Sequence, residues 1–245
     1  MAQRYFVPDL PAPGPAELTG ELAHHLGRVL RVQAGEPLLL ADGRGHTAAA
    51  TVTATAKQSI RVQVEAARYE PPPGRRVHVA FAPPRLQRAE WLFEHGTEVG
   101  IDVFHPLWTQ RSRPQGERLD RWQRIVAAAA GQCGRAWLPE VRPARELTAW
   151  LGAGDLPAAR CVGAGEAASD LASTARATTG DLLLLVGPEG GFAADERAAI
   201  AAAGFTAVRL GPFTLRTETA ALVGAALLRS VDVSSRSAAG SRSTS

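Results

Sequence analysis

The chain has 245 residues, the length of one large domain or two ordinary ones. Hydrophobic residues make up 45% and charged residues 21%, which is typical of a globular protein and excludes a disordered or fibrous chain. The net charge is only +3, and all but one of the 27 basic residues are arginines, whose planar guanidinium suits phosphate.

No targeting, membrane or metal signal stands out. The first ten residues lack the apolar segment of a signal peptide, and apolar runs such as Leu182–Val186 are too short to span a bilayer. Two cysteines cannot build a disulfide framework or a structural zinc site, and the six histidines lack metal-ligand spacing. We therefore expect a soluble, cytoplasmic protein without a metal or a membrane partner.

Residues 1–70 predict a small β-barrel. Short strands are indicated at Pro37–Leu40, Thr47–Thr55 and Ser59–Glu65, the last with alternating apolar residues. One helix is predicted at Gly20–Leu30, where leucines and a valine recur on one side.

The proline and glycine residues 71–74 end this pattern and predict a domain boundary. Strands then alternate with helices over residues 75–233, which predicts an α/β domain with a mostly parallel sheet. The predicted strands are Val77–Ala82, Asp102–Leu107, Ala159–Val162, Leu182–Val186 and Ala207–Leu210, and the predicted helices are Arg88–Val99, Leu119–Gln132, Asp170–Ala177, Asp195–Ala203 and Thr217–Ser230. Residues 234–245 are Ser, Arg, Ala, Gly and Thr, and we expect a disordered tail.

Positive charge concentrates in residues 111–145, where eight arginines face three acidic residues. Such a patch on a nearly neutral protein can attract a polyanion. A solvated helix face with Arg–Glu pairs explains the same pattern, and charge alone leaves both readings open.

Two glycine-rich loops follow predicted strands. Gly187–Gly191 holds three glycines, a proline and Glu189 directly after an apolar strand, and Gly211-Pro212 follows the next one. Open α/β sheets bind ligands at the carboxyl ends of their strands, where glycine lets the backbone approach a ligand. Arg216 stands just before the positive end of the last helix, where a cation gains nothing from the dipole. A pair with Glu218 or an anionic ligand explains its position better. The two loops therefore predict one shared ligand pocket.

Two other motifs carry weaker signals. Gly163–Ala168 matches the G-x-G-x-x-G/A pattern of dinucleotide-binding domains, but no acidic residue ends the next strand to hold a ribose. Cys133 has no apparent neighbouring base, so we expect it to serve in packing.

Together these residues resemble the RsmE family of SPOUT methyltransferases, over residues 4–232. The most specific stretches are Leu185–Phe192, Leu210–Pro212 and Leu215–Ala220, and the supporting ones are His24–Arg31, Thr97–Gly100, Trp122–Ile125 and Gln132–Arg135. The resemblance implies an N-terminal PUA-like barrel for RNA and a C-terminal domain whose deep trefoil knot binds S-adenosylmethionine. It also implies a homodimer that methylates N3 of one uridine in bacterial 16S ribosomal RNA on the assembled 30S subunit.

The resemblance and the loop chemistry suggest site residues. N3 of uridine must lose its proton, so a carboxylate and a charge-stabilising donor are needed, and Glu189, Arg216 and Glu218 are the right residue types, with individual roles left open. For the cofactor we expect Gly187, Glu189, Gly190, Gly191, Leu210, Gly211, Phe213, Leu215 and Thr217. For RNA we expect Arg4, Arg28, Arg31, Arg111, Arg113 and Arg135.

Three positions depart from the family pattern. His95 replaces a frequent lysine, Gly131 a frequent glutamate, and Ala193 the usual serine, which removes half of a capping box with Glu196. The small residues of Thr217–Ser230 fit either a dimer interface or a helix buried within one chain.

Two rival functions remain on the sequence alone. One is a ribosome-associated RNA-binding protein without catalysis, and the other a Rossmann-type enzyme that uses Gly163–Ala168. Binding of S-adenosylmethionine distinguishes the first, and loss of binding on mutation of Gly163 and Gly165 the second.

Overall fold

The structure is a computed structural model that describes residues 3–112 and 118–240. The chain divides into two compact units. The first comprises Met1–Pro72 with Ala127–Leu138, and the second Pro73–Val126 with Pro139–Ser245. The division after Pro72 falls in the predicted linker, whereas the assignment of Ala127–Leu138 to the first unit has no counterpart in the sequence analysis.

The first unit is built on a six-stranded sheet in the order β1-β3-β4-β5-β2, with β6 paired to β4. Its strands are β1 (Arg4–Phe6), β2 (Gly14–Leu18), β3 (Pro37–Ala41), β4 (His46–Thr55), β5 (Ile60–Val64) and β6 (Arg68–Tyr69). In β5, alternate residues point inward, so Ile60, Val62 and Val64 are buried and the residues between them are exposed. These side chains pack with Leu26 and Leu40 in one apolar core.

The predicted helix Gly20–Leu30 is split into two kinds of helix. An α-helix, α1 (Gly20–His24), continues as a π-helical turn over His25–Leu30. The turn ends at Arg31, whose φ of 55° lies in the left-handed region that side chains rarely adopt. Leu26 is fully buried, whereas the wide turn leaves the side chains of residues 28–31 exposed. Side-chain periodicity alone does not reveal this widening.

The second unit contains a sheet in the order β10-β8-β7-β12-β11-β13, with β9 paired to β8. Its strands are β7 (Val77–Phe81), β8 (Val103–Trp108), β9 (Glu140–Val141), β10 (Arg145–Glu146), β11 (Ala159–Gly163), β12 (Leu182–Val186) and β13 (Thr206–Val208). Every pairing in this sheet is parallel. The prediction of an α/β fold with a mostly parallel sheet is confirmed.

Helices cover both faces of this sheet. They are α2 (Leu86–Val99), α3 (Leu119–Gln132), α4 (Leu147–Leu151), α5 (Leu171–Arg176), α6 (Ala194–Ala202) and α7 (Thr217–Gly240). Alternate residues of β12 belong to two separate cores, with Leu184 in one and Leu183 and Leu185 in the other. A strand buried on both faces is apolar throughout, which is why β12 was predicted with its observed bounds.

The last helix differs from the prediction at its end. The backbone of α7 stays helical through Gly240, into the segment for which the sequence predicts disorder, while residues 241–245 lie outside the described residues. Alanine, serine and arginine tolerate a helix, and no proline interrupts residues 217–240. Within the described part of the chain, no helix combines the length and apolar character needed to cross a membrane.

Candidate active site

Three strand ends meet at the carboxyl edge of the parallel sheet. β11 lies between β12 and β13, with Val162 opposite Leu185 and Gly163 opposite Val208. The segments that follow these strands are therefore neighbours, as expected for a ligand-binding edge. The hydroxyl of Thr217 donates to the carbonyl oxygen of Gly187 at 2.8 Å and so joins the two loops that the sequence singled out.

A cavity of about 620 Å³ opens at this edge. It is lined by Gly165 and residues 170–172 after β11, by residues 209–212 after β13, and by Leu227 of α7. Leu171, Leu210 and Leu227 give it apolar walls. The size lies within the roughly 300–1,000 Å³ common for small-molecule sites.

The segment that resembles a dinucleotide motif contributes to this same cavity. The amide of Ala164 donates to Val208 O at 2.9 Å, and the amide of Arg209 donates to Ser169 O at 2.8 Å. Gly165 lines the cavity, and the carboxylate of Asp170 accepts from the amide and hydroxyl of Ser173 to cap α5. Gly165 of this segment and Gly211 therefore border a common space.

The loop Gly187–Gly191 lies beside the cavity without lining it. A Cβ at Gly187 would lie 2.9 Å from the ring of Phe192, and Gly191 has a φ of +68°, so both positions require glycine. Arg111 donates from Nη1 to Gly190 O at 2.5 Å, and the amide of Gln110 donates to Glu196 Oε1 at 2.8 Å. The segment after β8 thus fixes this loop and the start of α6.

Ala193 has the effect expected from the missing serine. It is the N-cap of α6 and offers no side-chain acceptor, while Glu196 Oε2 still accepts from the amide of Ala193 at 2.8 Å. One half of the capping box remains.

Arg88, which the sequence analysis missed, connects the two candidate carboxylates. Its Nη1 donates to Glu189 Oε1 at 2.7 Å, and its Nε lies 3.6 Å from Glu218 Oε1. Arg88 belongs to α2, whereas Glu189 follows β12 and Glu218 lies in the first turn of α7. No local pattern links residues so far apart in the chain.

Glu218 is the least satisfied of these groups. It is only 6% exposed, and its Oε2 is buried without a hydrogen-bond partner in the described structure. The side chain of Glu189, in contrast, is 63% exposed. A buried carboxylate oxygen without a donor is costly, and it marks the place where a ligand donor would be gained.

Arg216 and Phe213 both face solvent. Arg216 makes no ion pair among the described residues, so the Arg216–Glu218 pair considered from the sequence does not form, and its carbonyl oxygen accepts from the amide of Ala220 at the start of α7. Phe213 is 81% exposed and lies outside the cavity lining, whereas Leu210 lines it and Leu215 packs on the core.

The arginines expected to bind RNA have different surroundings. Arg28 and Arg31 are exposed on the π-helical turn, and Arg111 holds Gly190. Arg4 is largely buried in a two-pronged ion pair with Glu70, at 2.9 and 3.2 Å. Arg135 is half-buried, and Arg113 lies outside the described residues.

A second buried polar cluster lies within the sheet of the second unit. Trp150 Nε1 donates to His105 Nδ1 at 3.3 Å, so His105 carries its proton on Nε2 and donates to His78 Nδ1 at 3.2 Å. His78 Nε2 then faces Asp181 at 3.7 Å. Burial, and secondarily the neighbouring His78, lowers the pKa of His105 to about 3, and burial also lowers the pKa of His78.

Neither cysteine nor metal chemistry is indicated among the described residues. Burial raises the pKa of the Cys161 thiol to about 11, which disfavours the reactive thiolate. No group of three or more metal-ligating side chains occurs in residues 3–112 and 118–240.

Comparisons with known proteins cover nearly the whole chain. One family profile, an RNA methyltransferase domain, matches residues 70–229, and another, an RNA methyltransferase PUA domain, matches residues 18–65. The chain is 37% identical to ribosomal RNA small subunit methyltransferase E of Mycobacterium bovis, over 91% of this chain and 89% of the relative. It is 32% identical to the protein of the same name from Synechocystis sp., over 87% and 72%.

A solved structure shows the same architecture. Ribosomal RNA small subunit methyltransferase E from Neisseria gonorrhoeae, bound to S-adenosyl methionine, matches with a TM-score of 0.86 and 28% identity. The match covers 94% of this chain and 98% of that one, and therefore extends over both units.

Proposed function

The chain belongs to the ribosomal RNA small subunit methyltransferase E family, as its sequence motifs suggested, and on that premise we propose that it methylates N3 of a uridine in bacterial 16S ribosomal RNA. The methyl donor is S-adenosylmethionine, and the substrate is the assembled 30S subunit in the cytoplasm. The observation that carries this proposal is the cavity at the glycine-rich strand ends. The helix that follows these loops carries in its first turn a carboxylate, Glu218, whose Oε2 is buried without a hydrogen-bond partner among the described residues.

The cavity fits the cofactor. Leu171, Leu210 and Leu227 supply apolar walls for a purine, and no atom lies within 4 Å of a Cβ built on Gly165 or Gly211, so backbone groups there are open to a ligand. Bound S-adenosylmethionine would supply a methyl group on a positively charged sulfur.

We assign the remaining cofactor contacts to the adjoining loops. Phe213 and Leu215 follow Gly211 in the chain, and Thr217 ties that segment to Gly187. Glu189, Gly190 and Gly191 complete the second loop. Phe213 must turn inward to contact a ligand, because its side chain faces solvent in the structure.

Three side chains would carry the chemistry. Glu218 is the better proton acceptor of the two carboxylates, because its Oε2 receives no hydrogen bond from the described residues, whereas Glu189 is exposed and already accepts one from Arg88. Arg216 is free to donate to a uracil oxygen as negative charge spreads from N3. These roles refine the set of Glu189, Arg216 and Glu218 proposed from the sequence.

RNA binding would use the first unit and the basic segment. Arg28 and Arg31 are exposed on a strained turn, and Arg111, Arg113 and Arg135 belong to the arginine-rich stretch. A phosphate contact of Arg4 would require Arg4 to leave Glu70. The match to a PUA domain supports an RNA-binding first unit, and we propose that its sheet closes into a barrel.

We also propose the trefoil knot and the homodimer that the resemblance implies. The strand order β7-β12-β11-β13 and the meeting of three strand-end segments support the knot. The small residues of α7 do not support the dimer, because Ala221, Gly224 and Ala225 are buried within one chain, where Gly224 lies against Leu184. Light scattering at micromolar concentration tests the dimer, and a monomeric mass would refute it.

Methylation of unmodified 30S subunits tests the function. The purified protein and S-adenosylmethionine are added to 30S subunits, to naked 16S RNA and to 70S ribosomes, and digested nucleosides are identified by mass spectrometry. We expect 3-methyluridine at one position and chiefly in the 30S reaction. A methyl group on another base or on a ribose refutes the N3 assignment.

The cofactor is tested separately by calorimetry. A Cβ at Gly190 would meet only the Arg111 side chain at 3.5 Å, so Gly190→Val is tolerated by the fold and should block S-adenosylmethionine through lost space. Unchanged affinity of this variant would remove the loop from the site. Absence of binding by the wild-type protein would favour a non-catalytic RNA-binding role.

A further inference from the structure

The charge balance around Glu218 depends on Arg88. The elements packed against α7 include α2, α5, β7 and β12. β12 is apolar throughout, and β7 offers only His78, which contacts His105 and Asp181. α5 carries Arg176 in its last turn, which makes no ion pair with Glu218 among the described residues. Among the described residues, Arg88 is the one cation that makes an ion pair with Glu218.

Arg88 is divided between two carboxylates. Its guanidinium is closer to Glu189, at 2.7 Å, than to Glu218, at 3.6 Å. The more buried carboxylate therefore has the weaker partner, and its Oε2 has no hydrogen-bond partner within residues 3–112 and 118–240. A purely structural ion pair would satisfy the buried carboxylate first, because desolvation costs most there.

We propose that Arg88 is a positioning residue for methyl transfer, which holds Glu218 charged and in place to receive the proton that leaves the substrate nitrogen. The inference rests on the proposed function. In this step the proton of N3 passes to Glu218 Oε2 and then to solvent. The electron pair left on N3 forms the bond to the methyl carbon, and the carbon–sulfur bond breaks with its pair kept by sulfur.

Arg88→Gln is the first test. A cation near a carboxylate favours the charged form, so its loss should move the acid limb of the pH–rate profile to higher pH by about one unit or more. Arg88→Lys, which keeps the charge, should recover part of this shift. An unshifted profile, with only a lower melting temperature, would show that Arg88 is merely structural and overturn the proposal.

Glu189→Gln is the second test and predicts the opposite sign. Without the competing carboxylate, Arg88 is free to approach Glu218, and the acid limb should move to lower pH. This variant keeps the proposal falsifiable if Arg88→Gln fails to fold. A shift to higher pH in Glu189→Gln would contradict it.

A titration that requires no turnover gives an independent reading. In cofactor-free protein labelled with glutamate carrying ¹³C at Cδ, the Glu218 signal is assigned by its loss in Glu218→Gln. This signal should titrate at higher pH in Arg88→Gln than in the wild type. An identical titration in both proteins would overturn the role of Arg88.

Glu90→Gln is the matched control, since Glu90 also lies on α2 and pairs with Arg121. It should leave both the pH profile and the Glu218 titration unchanged, and a shift equal to that of Arg88→Gln would make the effect general to α2. Failure of the proposed function is distinguishable, because the wild type would then yield no 3-methyluridine. Failure of this inference leaves wild-type methylation intact.

Discussion

The first turn and the middle of α7 carry ion pairs that differ in completeness. Near its middle, Arg229 donates from Nε to Gly100 O and from Nη1 to Arg75 O, both at 2.8 Å, and from Nη2 to Asp102. Asp102 in turn accepts from the amide of Val77 at 2.8 Å. At the start of the helix, the described residues give Glu218 one long ion pair and leave its Oε2 without a hydrogen-bond partner.

We propose that this difference separates a structural role at Arg229 from a functional role at Glu218. Buried polar groups are nearly always paired, so a complete set of partners indicates a group that holds the fold together. We propose that an incomplete set, as at Glu218, marks a group that gains its partners from a ligand. Both kinds involve an arginine and a carboxylate, and only the surroundings distinguish them.

The largest expected effect is on the complete pair. Arg229→Ala leaves Asp102 buried and without the cation, and such a loss destabilises a protein by about 3–5 kcal/mol. Urea-induced unfolding of the wild type and the variant measures the difference in their free energies of unfolding. Arg229→Lys keeps the charge but not the forked geometry and should recover only part of it. If Arg229→Ala lowers the free energy of unfolding by less than about 1 kcal/mol, this pair is no stronger than a surface ion pair, and its completeness does not mark a structural role.

Arg216→Ala should act on the reaction and leave the fold intact. Arg216 is exposed without an ion pair among the described residues, so we expect little change in melting temperature or in cofactor affinity. Single-turnover methylation should fall by roughly a hundredfold or more, the range for one lost charge-stabilising donor.

The control for Arg216 uses the same preparation. Arg216→Lys should recover part of the rate, because it keeps the charge and loses the planar fork. A joint loss of stability and cofactor affinity, with the turnover of the bound complex unchanged, would give Arg216 the structural role assigned here to Arg229.

Periodicity and apolar runs were enough to predict much of the second unit. Leu119–Gln132 and Leu182–Val186 were predicted with their observed bounds, since burial of one helix face or of both strand faces leaves a clear pattern. The sequence did not predict the short strands Glu140–Val141 and Arg145–Glu146, because two residues are too few to show an alternation of apolar and polar side chains. The π-helical turn was missed because its side-chain pattern resembles that of an α-helix.

The site was predictable only where its residues follow strands. Leu210 and Gly211, two of the residues that the loop motif suggested, line the cavity, and their contact with the cofactor stays a prediction. Gly165 was set aside because its motif lacked a ribose-binding acid, yet β11 lies between β12 and β13 and brings it to the same edge. Arg88 lies on α2 and donates to Glu189 after β12, and a contact between such distant segments leaves no pattern in the local sequence.

The buried cluster of His105, His78 and Trp150 should make the free energy of unfolding fall as the pH is lowered. The pKa of His105 is lowered to about 3, first by burial and then by His78 and Arg142, whereas an unfolded histidine titrates near 6.5. Below pH 6.5 His105 therefore binds a proton in the unfolded chain but not in the folded one. The free energy of unfolding falls by roughly 1.4 kcal/mol for each pH unit by which the pH is lowered.

Urea unfolding between pH 7.5 and 5 measures this slope. His105→Gln keeps an acceptor for Trp150 Nε1 and removes the titration, so it should flatten the dependence. An unaltered slope in the variant would assign the acid sensitivity to other groups. Like the pair at Arg229, this cluster should affect stability and leave the rate of the folded enzyme unchanged.

The first unit also has a paired and an unpaired arginine, and here we expect the weakest effect. Arg4 is paired with Glu70, whereas Arg28 is exposed without an ion pair among the described residues. Arg28→Ala should weaken RNA binding modestly and reduce the magnitude of the log–log salt slope by about 1, as for one lost phosphate contact. Arg61→Ala removes another exposed arginine, on β5, and should leave the slope unchanged. Equal salt slopes for the wild type and Arg28→Ala would show that Arg28 does not contact a phosphate. Missing ion-pair partners, which we take to mark a ligand-binding group in α7, would then not identify RNA contacts in the first unit.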